Sequence, residues 1–254
     1  MKHLVEQLYA PRIAGARSRF MDTAAAAIFS PDMTPDELTL FLIQFSSLGV
    51  KMTEPVEGWI RRAGEKCLEA GLQRLGRALV IHATHEANHH LMMIEDTKRL
   101  VAHYNHAHPR RLDAGHYLAA APPPSVEAYA RLHEDVIASD APFAQLAIEY
   151  EIEGLSVSLG PKFVQHCVKV GGKDILAGLS FIEEHAAIDV GHTLFNELEL
   201  ERILSEDAGR VEPLARAGAA ALDAYAGFLI DSMARAKADL ERLQQSAPAD
   251  AVAG

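Results

Sequence analysis

Two stretches of the chain repeat one pattern of imidazoles and carboxylates, and that pattern restricts the fold more than any other feature. One is His185-Ala-Ala-Ile-Asp189-Val-Gly-His192; the other is His82-Ala-Thr-His85-Glu86-Ala-Asn-His89. In each, a carboxylate stands between two histidines at i, i+4 and i+7. At about 100° per residue those positions fall within ~60° of each other on one helix face. Phe181, Ile182, Ile188 and Phe195 flank the first face, and Leu79, Val80, Ile81, Leu91, Met92 and Met93 surround the second. Both faces are therefore expected to point into a core. Ionisable groups are costly to bury unless hydrogen-bonded, paired or bound to metal. Two histidines with one carboxylate suit non-heme iron. Two such faces turned toward each other in a helical bundle predict one shared site for two metals.

The rest of the chain supports an all-α reading. Its 254 residues suffice for one large helical bundle, predicted as a single domain over 1–246 with a disordered tail over 247–254. The net charge of -11 disfavours a nucleic-acid partner. No apolar run reaches ~18 residues, so no membrane span is expected. The start lacks the apolar core of a signal peptide. Cys67 and Cys167 do not suggest a disulfide framework, and a cytoplasmic location is the default.

Helices are expected over 12–29, from Thr34 to Gly49, from Pro55 to Gly71, and as one long stretch over 72–104. Thr34-Pro35-Asp36-Glu37 has the form of a capping box. Residues 105–124, rich in proline, read as an irregular connection. Ser125 is expected to cap a helix to Ala138. Another starts at Asp140 and Pro142, is kinked or split at Gly160-Pro161 and ends at Gly171-Gly172. The histidine helix is placed at 174–203, a turn at Ser205–Arg210, and a last helix at 212–245. The total is seven or eight helices.

The predicted metal ligands are Glu86, His89, Glu153, His185, Asp189 and His192. Glu86 and His89 form Glu-x-x-His, a spacing by which helical bundles hold di-iron centres. His82, one turn earlier, has three readings: a further ligand, a hydrogen-bond partner of a ligand, or a pocket residue. His85 and His90 point to the sides. Glu149 and Glu153 share a face at i, i+4; Glu153 is the first choice for a bridging or terminal ligand and Glu149 the second. Glu151 points away and is expected at the surface. Three nitrogens and three carboxylates favour iron, with manganese as the alternative, over structural zinc.

These residues resemble the heme-oxygenase-like di-iron oxidases and oxygenases. Their His-x-x-x-Asp-x-x-His motif is matched by His185, Asp189 and His192, and their Glu-x-x-His form by Glu86 and His89. Tyr150-Glu151-Ile152-Glu153-Gly154 is similar to the Tyr-x-x-Glu-Gly stretch of the wider fold. Some members carry a Glu seven residues before the His; here that position is His82. The resemblance implies a seven- to eight-helix bundle holding two Fe(II) per chain, with O2 as co-substrate and an external reductant. It implies oxidation of a small metabolite, in the family often an amino acid or a fatty acid and here expected to be amino-acid-derived, in natural-product biosynthesis by N-oxygenation, oxidative C–C cleavage or desaturation. Homodimers are a common habit of the family. The alternatives are a metal-free thiaminase-like or cofactor-maturation relative of the same fold, an iron-storage protein, or a helical interaction protein.

Overall fold

The computed structural model describes residues 4–245, so the predicted tail lies outside the described residues. These residues are helical, with no strand among them. The chain opens with a rod over 5–28 in which π-helical turns Val5–Tyr9 and Met21–Ala25 alternate with α1 (Ala10–Phe20) and α2 (Ala26–Ile28). Then come α3 (Pro35–Thr53), α4 (Val56–Glu69), α5 (Gln73–His85) and α6 (His90–Ala107). After α7 (Ala114–Leu118) and α8 (Pro124–Ala138) follow three long helices: α9 (Gln145–Gly171), α10 (Ser180–Glu206) and α11 (Val211–Gln245).

Helix α3 is the central strut. Thr34 caps it as expected, its hydroxyl accepting from the Glu37 amide at 3.2 Å. Every residue from Leu38 to Val50 is buried, as befits a helix apolar all round. Helices α6, α9 and α11 pack about it. Phe41, Phe45, Phe163 and Phe228 meet edge-on or tilted between these helices.

Several boundaries differ from expectation for identifiable reasons. Ser125 does not cap α8; its hydroxyl donates to Asp231 at 2.6 Å, tying α8 to α11. Helix α9 runs unbroken through Gly160-Pro161. Proline removes one ladder hydrogen bond, but the close crossing with α10 holds the segment. A Cβ on Gly160 would stand 3.1 Å from that of Ala186. The helix stops as expected at Gly172, whose φ of 80° few other residues adopt. Residues Lys173–Gly178 then form a 3-10 turn, so the histidine helix begins at Ser180 rather than at 174. Its cap comes from α6. The Asp96 carboxylate accepts from the Ser180 amide and hydroxyl at 3.1 and 2.7 Å and from the Phe181 amide at 2.9 Å. The stretch expected as one helix over 72–104 is two helices, and the break falls at the site.

Candidate metal centre

Helix α5 ends at His85. Asn88 takes a φ of 68°, and α6 starts at His90. Asparagine is one of the few residues that visit this left-handed region readily. The break takes His89 off the continuous helix face on which spacing alone places it. It brings His89 against Glu86 all the same, Nδ1 lying 3.0 Å from Oε2.

The side chains gather into two groups that share Glu86. In the first, His82, Glu86, Glu153 and His192 offer atoms within 4.8 Å of one another; in the second, Glu86, His89 and His185 do. Glu86 Oε1 faces the first group, 3.3 Å from His192 Nδ1 and 3.9 Å from His82 Nε2. Oε2 faces the second. Glu153 Oε1 lies 3.0 Å from His82 Nε2 and 3.7 Å from His192 Nδ1. His89 Nδ1 is 3.0 Å from His185 Nε2. Ligand atoms ~2.1 Å from a common ion stand roughly 3–4 Å apart, so these separations are those of donors around shared cations. Asp189 falls in neither group, but its Oδ1 is 3.3 Å from His192 Nδ1 and its side chain lines the same cavity as Glu86, Glu153 and His185.

The chemistry of the donor set fits metal. His82 Nε2, Glu86 Oε1, Glu153 Oε1, Asp189 Oδ1 and His192 Nδ1 are all buried without a hydrogen-bond partner. Native proteins rarely leave such groups unmet. Here five of them converge, each a potential ligand atom. Neighbours occupy the remaining atoms. Asn196 Nδ2 donates to Glu153 Oε2 at 2.5 Å, leaving Oε1 for an ion. His185 Nδ1 donates to the Phe181 carbonyl at 2.8 Å, so the lone pair of its Nε2 faces the cluster. Phe195 stacks on His82, and His85 on His192.

Electrostatics follow from burial. Burial, then repulsion from Glu149, Asp189 and Glu86, holds the Glu153 carboxyl well above its usual range. Burial pushes His82 down to about 4 and lowers His185. For Glu86, burial pushes upward, but the hydrogen bond and charge of His89 outweigh it and the net shift is downward. His89 moves up through the same bond. Without a cation, then, proton sharing limits the charge; an ion would displace those protons.

The structure thus brings together all six sequence-predicted residues and adds His82 as an inward donor. It makes Glu86, rather than Glu153, the carboxylate shared between the groups. Glu149 is not in either group; its Oε1 accepts from Gln145 Nε2 at 2.5 Å, and it lines the adjoining cavity. Burial and the nearby Glu86 push it up to about 8. Glu151 is not at the surface. It is 4% exposed, and its carboxylate accepts from Arg17 at 2.7 and 2.9 Å and from the Tyr9 hydroxyl at 3.0 Å. Its direction, away from the cluster, is as expected. Asn196 and Asp96 were missed. Asn196 lies seven residues after Asp189, so extending the ligand face by two turns would have found it; Asp96 left no local signal.

No family model and no curated protein matches the chain. Among solved structures it is similar to the crystal structure of a domain of unknown function with a heme oxygenase-like fold from Shewanella denitrificans OS217. The two superpose with a TM-score of 0.69 over 98% of each chain at 17% identity. The fold is heme-oxygenase-like. Within this heme-oxygenase-like bundle the donor groups come from α5, α9, α10 and the α5–α6 break, with α6 anchoring the start of α10 through Asp96. Among the described residues no helix is long and apolar enough to cross a membrane.

Proposed function

We propose that this chain is a non-heme di-iron enzyme that activates O2 to oxidise a small, amino-acid-derived metabolite. N-oxygenation, oxidative C–C cleavage and desaturation are the reaction types this reading covers, within a biosynthetic pathway of the cytoplasm. The observation that carries it is the convergence of five buried, unpartnered ligand atoms on two groups joined by Glu86. His82, Glu153 and His192 would hold one iron and His89 and His185 the other. Glu86 would span both, and Asp189 would stand beside His192. Two Fe(II) ions held there would supply reducing equivalents and open positions for O2; manganese is the alternative metal, and an external reductant is the partner this reading calls for. Homodimerisation belongs to the same reading.

The chain's own residues set the geometry. The Phe181 carbonyl and Asn196 orient His185 and Glu153. Phe195 and His85 cover the imidazoles of His82 and His192. Tyr129, Met93, Phe181 and Phe228 wall the adjoining cavity and exclude water from the reacting face.

Anaerobic titration with Fe(II), followed by O2, tests the reading. Binding of two irons per chain, with O2 uptake and a transient visible band on mixing, is the expected result. Uptake of many irons would mark a store, and no uptake a metal-free relative or an interaction protein.

A further inference from the structure

Two cavities meet beside the candidate centre. The near one, about 80 Å³, is bounded by Glu86, Glu153, His185 and Asp189 and by the carboxyl of Glu149. The far one, about 70 Å³, is walled by Phe20, Phe41, Phe45, Leu159, Phe163 and Leu229. Ser156, Phe181, His185 and Tyr225 line both, so the cavities adjoin across these four side chains. Each is small, so it suits a narrow ligand group.

Their walls differ in chemistry. Apart from His185, the far cavity has no ionisable group but the Tyr225 phenol and no charged one. It can receive only an apolar group without leaving a buried polar atom unmet. Among the described residues no lysine or arginine lines either cavity. The near cavity holds four carboxyl groups, three of them in the proposed metal centre. Glu149 is the fourth. It accepts a hydrogen bond from the Gln145 amide, and among the described residues no cationic side chain lines the cavity beside it. A buried carboxyl in that position can pair with an amine, as acid with base or as carboxylate with ammonium, and an anionic group would meet no counter-ion from the walls.

The geometry points to a substrate that is a primary amine with a hydrocarbon or aryl tail, its amino group held at Glu149 and its tail passing Ser156 and Tyr225 into the phenylalanine-walled cavity. This inference rests on the di-iron reading for its choice of the reacting end, but the binding mode follows from the cavities alone. Glu149 is a binding residue here, outside the ligand set.

Calorimetric titration of n-alkylamines from butyl to dodecyl into the anaerobic iron-loaded chain, with alcohols and carboxylates of matched length, tests it. Affinity for the amines should rise about fourfold per methylene, the increment of one buried CH2, and then level off as the far cavity fills. Leu229→Trp should move that plateau to shorter chains. Should that variant fail to fold by its circular-dichroism melt, Ser156→Phe at the junction carries the same test. Glu149→Gln should weaken amines at least tenfold and leave alcohols of equal length unchanged. A flat length profile, an unmoved plateau in a folded variant, or carboxylates binding as tightly as amines would overturn the inference. Iron content measured on the same samples separates the two readings. Length-dependent amine binding without iron uptake sinks the di-iron function alone, and two irons with a flat profile sink the substrate class alone.

Discussion

Glu151 and Glu153 lie two residues apart on α9, and both are buried, yet they answer the cost of burial in opposite ways. Glu151 faces the N-terminal rod, where Arg17 and Tyr9 meet both of its oxygens. Glu153 faces α5 and α10, where Asn196 meets one oxygen and the other has no hydrogen-bond donor, only His82 and His192 nearby. A buried carboxylate with a built-in cation is a structural tie. One left open among imidazoles and other carboxylates is a place for a cation from outside. The difference separates a structural tie from a candidate metal ligand on a single helix.

Exchanging the two roles is the strongest way to break this comparison. Glu153→Ala should reduce bound iron from two per chain toward one. The affinity loss at the first group should be at least the ~10–100-fold seen when a ligand's supporting partner is removed, while the metal-free chain keeps its stability. Iron analysis with a urea melt checks both parts. Glu151→Ala should do the reverse: Arg17 and the Tyr9 hydroxyl lose their acceptor, stability falls by about 1–3 kcal/mol, and iron binding is unchanged. Loss of iron in Glu151→Ala with retention in Glu153→Ala would mean that the phase of α9 is misread.

His133 extends the comparison to a buried base. It is fully enclosed, stacked on Trp59 at 4.2 Å and hydrogen-bonded to Gln145. Burial pushes its pKa down to about 3. The unfolded chain takes up a proton near pH 6.5 that the folded chain refuses. Stability from this group is therefore full above pH 6.5 and lost as pH falls from there toward 3. The share lost by pH 5 is about 2 kcal/mol, and His133→Phe, which keeps the stack, should flatten that part of the pH–stability curve. The smallest effect concerns α10. Gly191 has open space where a Cβ would stand, so Gly191→Ala should raise stability by up to ~1 kcal/mol in a thermal melt.

Residues on one helix face were legible because helical periodicity is local. His185, Asp189 and His192 keep their common side of α10, and Thr34 caps α3, since each depends only on neighbours within two turns. The split at Glu86–His89 was not legible. The 3.6-residue pattern continues across it, and only the positive φ at Asn88 turns the chain. The split allowed for at the proline in α9 did not occur, because the cost of proline is local while the packing that holds the helix together is not.

By itself the amino-acid order determined an all-helical chain with imidazoles and carboxylates on inward faces, because spacing and burial cost act along one helix. Tertiary structure alone decided that Glu86 joins the two donor groups, that His82 belongs to the first of them, and that Glu151 is buried. Each of those depends on which helices lie opposite one another. The partners that decide it, such as Tyr9 for Glu151 and Asn196 for Glu153, stand 142 and 43 residues away.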